Sequence, residues 1–321
     1  MPLDAPPEPA SSYQIARLPA SFARDVVLTA LAADAYCLGP HWIYDLDRME
    51  ELYPNGLQGL DSPRSEYHPG KQQGDFTHYG DQTLVLLESV SGEETWNKDA
   101  WMRDWLTFWR SEPQSYLDSA TRDVLDAWEE TGEATPSESH DLAGASRIAP
   151  ILSLLSQAPL PTVIQAAREQ TAATHCDPTV VDAAEFFTRA TWRIRNGQGF
   201  SQAFAAAATS TDYDSDIADL YEQATAANYA TPEQAALGFG QSCDVSKALP
   251  LTIWLALAFE RDAEKMMKEN ALVGGDSSAR GMLLALLIAA NGDYPDLPSQ
   301  WTSGINQVPK IAACLDQIAT E

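Results

Sequence analysis

The stretch HYGDQTLVLLESV, residues 78–90, sets a polar tetrapeptide directly against an apolar segment. Leu84, Leu87 and Val90 recur near helical period, Gly80 lets the chain turn, and Asp81 has the chemistry of an N-cap, so the stretch reads as a helix entrance. The same order returns at residues 274–289 as GGDSSARGMLLALLIA: glycine, acid, small hydroxyl residues, apolar helix. Two carboxylates, Asp81 and Asp276, thus stand at two helix entrances remote along the chain. If they meet in space they have the means to cap, to hold a cation, or to do both.

Working outward, helical spacing dominates. DVVLTALAADAYCLG (25–39) predicts a first helix stopped by Gly39 and Pro40. NKDAWMRDWLTFWRSE, from Asn97, places Trp101, Trp105 and Phe108 on one face as a core stripe. Tyr116 to Thr131 predicts the next helix, and GASRIAPILSLLS from Ala143 onward another. Asp177 before Pro178, and Thr231 before Pro232 with Gln234 completing a capping box, mark two further helix starts. Segments 249–259, 262–272 and 277–291 complete the core. With no alternating strands, no repeat and no glycine fingerprint for a nucleotide, the expectation is an all-α, single-domain bundle of more than ten helices over residues 21–321. An acidic, proline-rich lead-in precedes it at 1–20. Residues 53–78 hold most of the early glycine, proline and histidine and predict a long loop, the kind of segment in which function concentrates.

The chain has 321 residues, 45% of them apolar, enough for a sizeable core. Its longest apolar run, MLLALLIAA, is too short to span a bilayer, and the N-terminus lacks a secretory pattern, so no membrane partner and a cytoplasmic setting are expected. A net charge of -26, from 46 acids against 20 bases, repels nucleic-acid phosphate. A small anionic ligand would need local help from Arg147, Arg280 or helix N-termini. The four cysteines, Cys37, Cys176, Cys243 and Cys314, form no CxxC pair and are expected as free, buried thiols.

Polar groups gather beside small residues at five helix boundaries: Asp34 in AADAYCLGPHWIYD, Asp81 in HYGDQT, Arg147 in HDLAGASRIAP, His175 to Asp177 in ATHCDP, and Asp276 in VGGDSSARG. In order and spacing these resemble the ADP-ribosylglycohydrolase family, from about residue 23 to 302. There a GDALG-like helix matches AADAYCLGP, a Thr-Asp-Asp-Thr box falls at Tyr79 to Gln82, a GNGAAMRIAP-like segment matches DLAGASRIAP, THxDP matches THCDP, and a Gly-Gly-Asp-x-Asp-Thr box falls at GGDSSA. The GPHWIYD, GDQT and GGDSSARG wording is more similar to the divergent branch containing selenoprotein J and the jellyfish J-type crystallins.

The resemblance implies an orthogonal helical bundle and a hydrolase that binds ADP-ribose, a related nucleotide sugar or an ADP-ribosylated substrate and cleaves its glycosidic bond. The family's magnesium pair rests on the acids and threonines of both boxes. Here Tyr79 and Gly80, and Ser278 and Ala279, replace four of those six ligands, so magnesium is expected as at most one weakly held ion, on Asp81 and Asp276. Asp81, Asp276 and Asp34 are the expected catalytic residues. His41, Trp42, Tyr79, Gly80, Gly144, Ser146, Arg147, His175, Gly275, Ser277 and Ser278 are the expected ligand contacts, with the Arg147 fork suited to a diphosphate. The alternative is a non-catalytic ligand-binding or structural, crystallin-like member. A third reading, a metal enzyme built on His41, His78 and His175, has nothing in the sequence to fix its geometry.

Overall fold

The computed structural model describes residues 20–111, 113–210, 212–292 and 297–318. The lead-in expected at 1–20 lies outside them except for its last residue, which begins the first helix. Among the described residues every regular element is a helix, with no strand beyond two isolated bridges. The first part comprises α1 (Ala20–Cys37), α2 (Leu46–Leu52), α3 (His78–Val90), α4 (Lys98–Arg110) and α5 (Ser119–Thr131). The middle holds α6 (Ala143–Ser146), α7 (Ala149–Leu154), α8 (Leu160–Ala172), α9 (Pro178–Arg195), α10 (Phe200–Ala208) and α11 (Ile217–Ala226). The last part holds α12 (Pro232–Phe239), α13 (Val245–Ala258), α14 (Ala263–Leu272), α15 (Ser277–Ala290), α16 (Ser299–Ser303) and α17 (Val308–Ile318).

The apolar periodicity explains the core. α1 and α15 are buried along nearly their whole length and pack most extensively on each other, which brings the 34-region and the 276-region together. In α4 the stripe is Trp101, Trp105 and Trp109; Phe108, expected inside, is only partly buried, because a face is continued by i+4 and not by i+3 at that point. The helix expected from Tyr116 starts at Ser119, where Asp118 caps it by accepting from the Thr121 amide at 2.6 Å.

Residues 53–77 form no helix, as expected, but the segment is tied down along its length. Tyr36 donates to Leu57 O at 2.8 Å, the Arg64 amide to Gly39 O at 3.0 Å, and the Gln73 amide to Ser62 Oγ at 3.0 Å. Asn306 then clasps its far end: its amide donates to Gly74 O (2.9 Å) and its side chain to Gln73 O (3.1 Å) and Asp75 Oδ1 (2.8 Å).

Candidate active site

The helix entrance at residue 78 is capped by Thr77, whose Oγ1 accepts from the Tyr79 amide, and not by Asp81, which lies one turn in. Thr77 is itself held by Asp34. The Asp34 carboxylate, fully buried in α1, accepts from the Thr77 amide (2.8 Å), Thr77 Oγ1 (2.6 Å) and Ser278 Oγ. One acid therefore knots α1 to the starts of α3 and α15. Gly80 is glycine for this reason, since a Cβ there would overlap Asp34 Oδ2 and meet Phe76 Cβ at 2.8 Å. Burial raises the Asp34 pKa, against the hydrogen bonds from Ser278 and Thr77 that favour its charge.

Asp81 turns toward the long loop. Its oxygens accept from Lys71 Nζ at 2.6 and 2.8 Å and from Ser115 Oγ at 2.6 Å. Lys71 and Ser115 line a cavity of about 250 Å³ with Tyr67, His68 and Tyr116. None of the hydrogen bonds or ion pairs among the described residues joins Asp81 to Asp276.

Asp276 precedes α15 but makes no capping bond with its side chain. Instead Oδ1 accepts from Trp42 Nε1 at 3.2 Å and lies 3.6 Å from His41 Nε2, while Oδ2, fully buried, has no hydrogen-bond partner. Backbone geometry sets this arrangement. Trp42 adopts φ 62°, unusual for a residue with a Cβ, and its amide donates to Gly275 O (2.8 Å) while the Gly275 amide donates to Ile43 O (2.7 Å). Gly275, at φ 61°, faces Gln241, whose carbonyl a Cβ would overlap. Arg280, expected near an anion, is buried and grips this turn, with Nη2 on Gly274 O at 2.6 Å and Nε on Asn270 Oδ1 at 3.1 Å. Ser277 is buried beneath, its carbonyl accepting from Asn270 Nδ2 at 2.8 Å.

A carboxylate that the sequence reasoning passed over completes the group. Asp141, half-buried, accepts from Tyr79 Oη at 3.3 Å and from the Ala143 amide at 2.8 Å. Burial and the neighbouring charges of Asp276 and Asp118 push its pKa well up. Burial also raises Asp276, to about 6, although Arg280, His78, Tyr79 and Trp42 favour its charge. Both acids are thus pushed toward the protonated form, Asp141 in part by the charge of Asp276. Asp141 stands at the edge of the quoted segment HDLAGASRIAP, where an arginine drew the attention.

Arg147, expected to meet a diphosphate, points into the core. It is 2% exposed, with Nη1 donating to Gln82 Oε1 and Nη2 to Thr174 Oγ1 at 2.5 Å, and it lies over the Trp101 ring. Thr174 Oγ1 is in turn 2.9 Å from His175 Nδ1. Gly144 must lack a Cβ because one would come within 2.7 Å of the His175 ring, and Ser146 donates to Ala143 O at 2.9 Å. Arg147, Gly144, Ser146 and His175 form a packed polar layer with His175 apart from His41 and His78. Burial, then the Arg147 charge, lowers the His175 pKa to about 3. Because the fold holds this histidine neutral while the unfolded chain protonates near 6.5, its contribution is complete above that pH and is lost as pH falls toward 3. The stability difference between wild type and His175→Gln, from urea unfolding at pH 7, 6 and 5, is expected to shrink by about 1.4 kcal/mol per pH unit below 6.5. A difference that stays constant over that range would refute this.

The remaining expected contacts surround the Asp276 side. His41, Trp42, Tyr79 and His78 pack with His68, Tyr67 and Tyr116 in an aromatic cluster, in which Trp42 meets Tyr116 edge-on at 4.8 Å and Tyr67 at 5.1 Å. Of the cysteines, Cys37 and Cys314 are buried, as expected, whereas Cys176 is exposed and Cys243 intermediate; Cys176 falls just before the exposed entrance of α9. No helix among the described residues is long and apolar enough to cross a membrane.

The described residues thus form an all-α bundle with buried acids at its helix entrances. Residues 17–321 match the ADP-ribosylglycohydrolase family, and the chain belongs to it. The fold is similar to a solved structure described as an ADP-ribosylglycohydrolase-related protein complex, with a TM-score of 0.66 at 18% identity, over 94% of this chain and 99% of the other. No curated protein matches the sequence.

Proposed function

We propose that this chain is a glycosidic-bond hydrolase that binds ADP-ribose, a related nucleotide sugar or an ADP-ribosylated substrate, and that Asp276 and Asp141 carry its chemistry. The observation behind this is Asp276 Oδ2: a buried carboxylate oxygen left without a partner beneath Trp42, beside a second acid that burial and the Asp276 charge push toward its protonated form. Environments that set two carboxyl groups apart in this way assign base and acid. Asp276 takes a proton from the water that attacks the anomeric carbon. As that C–O bond forms and the bond to the leaving group breaks, through an oxocarbenium-like transition state, Asp141 gives its proton to the departing atom. Asp141 is half-buried and Tyr44, whose hydroxyl feels both acids, is exposed.

The family's magnesium does not fit these residues. Both Asp81 oxygens are on the Lys71 ammonium and Ser115, Asp34 accepts from Thr77 and Ser278, and Asp276 Oδ1 accepts from Trp42 Nε1. Magnesium demands octahedral oxygen ligands and keeps several waters, and among the described residues no set of three carboxylates converges on one point. Asp81 instead fixes the cavity wall through Lys71 and Ser115, and Asp34 positions the two helix entrances. A cytoplasmic setting belongs to the same reading.

A second reading, a non-catalytic member like the crystallin branch, draws support from Arg147 and Arg280, both turned inward and so without a fork free for phosphate. Calorimetric titration with ADP-ribose, followed by chromatographic detection of ADP-ribose released from an ADP-ribosylated peptide, tests both. Heat together with release is the expected result; heat without release favours the binding module, and neither overturns the proposal. Trp42→Ala is expected to weaken binding at least about tenfold through lost stacking and the freed Asp276.

A further inference from the structure

His68 was not expected at any site, yet the loop folds it against His41 and His78. All three are buried, and each offers a ring nitrogen such that the three atoms lie within 4.8 Å of one another. His68 Nε2 and His78 Nδ1 face each other at 3.4 Å. Two ligand nitrogens on a tetrahedral zinc, each about 2.0–2.1 Å from the ion, are about 3.3 Å apart, so this pair is already at coordination spacing.

The surroundings point the same way. His78 Nε2 lies 3.3 Å from Asp118 Oδ2, and the other Asp118 oxygen is fixed by the Thr121 amide. With Nε2–H turned to that carboxylate, Nδ1 keeps its lone pair toward His68, as with the outer carboxylate of a histidine–metal site. His41 Nε2 is buried without a hydrogen-bond partner, an arrangement that costs about 1–3 kcal/mol. Asp276 Oδ1, 3.6 Å from His41 Nε2, brings negative charge to the same place. The Ser278 amide approaches His41 Nδ1 only at 3.4 Å, a weak tie that a bound ion can outweigh.

We infer that His41, His68 and His78 form a binding site for one borderline divalent transition-metal ion of the zinc class. Three neutral imidazoles suit zinc, cobalt, nickel or copper and are poor ligands for magnesium. The site needs His41 to close by at most about 1.5 Å from the present spacing to reach tetrahedral geometry. It is independent of the hydrolase reading, since the ion is measured without substrate.

The test is equilibrium dialysis of chelator-stripped protein against zinc, with the bound metal counted by plasma mass spectrometry. About one zinc per chain is expected for wild type and for His140→Ala, a control at an exposed histidine, and at least about tenfold weaker retention for His68→Ala. Asp118→Asn, which keeps a capping oxygen, is expected to weaken zinc by about 10–100-fold. Far-UV circular dichroism checks that the variants stay helical. Cobalt(II) added to the wild type supplies a readout that needs no variant: intense visible bands of a tetrahedral nitrogen site are expected. No zinc retained by wild type, retention unchanged in helical His68→Ala, or a cobalt spectrum like that of the free aqueous ion would each overturn the site.

Discussion

Asp276→Asn is expected to lower the rate of ADP-ribosyl hydrolysis by about 10²–10⁴-fold while the protein stays folded. The substitution is isosteric, and the amide oxygen can still accept from Trp42 Nε1, so the local packing is kept. What disappears is the negative charge that takes the proton from water. Stability should move the opposite way from activity. Burial raises the Asp276 pKa to about 6, so the fold penalises the ionised form at pH 7, and a neutral amide is expected to be at least as stable there. In the wild type, kcat/KM should rise as pH passes about 6 and Asp276 ionises, then fall at higher pH as Asp141 loses its proton. The acidic limb should vanish in Asp276→Asn and the alkaline limb in Asp141→Asn. A variant hydrolysing at the wild-type rate would remove Asp276 from the reaction.

Asp34→Ala should instead damage the fold, by about 3–5 kcal/mol. It strands three buried donors, the Thr77 amide, Thr77 Oγ1 and Ser278 Oγ, each of which loses its acceptor where water cannot replace it. The melting temperature is expected to drop by about 4–7 °C. Asp34→Asn should cost less, about 1–2 kcal/mol, because only the Thr77 amide then faces a donor. Gly80→Ala attacks the same contact from the other side, forcing a methyl group into the carboxylate, for about 3 kcal/mol. Combining Gly80→Ala with Asp34→Ala should cost less than the sum by more than about 1 kcal/mol, since the first methyl then enters the space the second change vacates. Strict additivity in denaturant melts would show that the two residues do not press on each other.

Helices were legible because apolar period and capping chemistry are local, and the stripe of Trp101 and Trp105 and the caps at Asp177 and Thr231 are found where spacing puts them. The five segments were also legible as a set, since family membership follows their order. The direction of side chains was not. Asp81 looks like a cap, but Thr77 reaches the free amide first, and Asp81 is then drawn outward by a lysine on a loop and a serine before α5. Arg147 looks like an anion ligand, but Gln82 and Thr174, far apart in sequence, claim its fork. His68 and Asp141 carried no periodic signal at all. Their places depend on how the 53–77 segment and the chain before α6 close over the bundle, which is tertiary information.

The clasp of Asn306 on residues 73–75 is a remote point of control. The wall that carries His68 and Lys71 is buttoned from a position more than two hundred residues downstream. A ligand, modification or truncation acting near the tail would therefore loosen the wall that carries His68 and Lys71 without touching either residue.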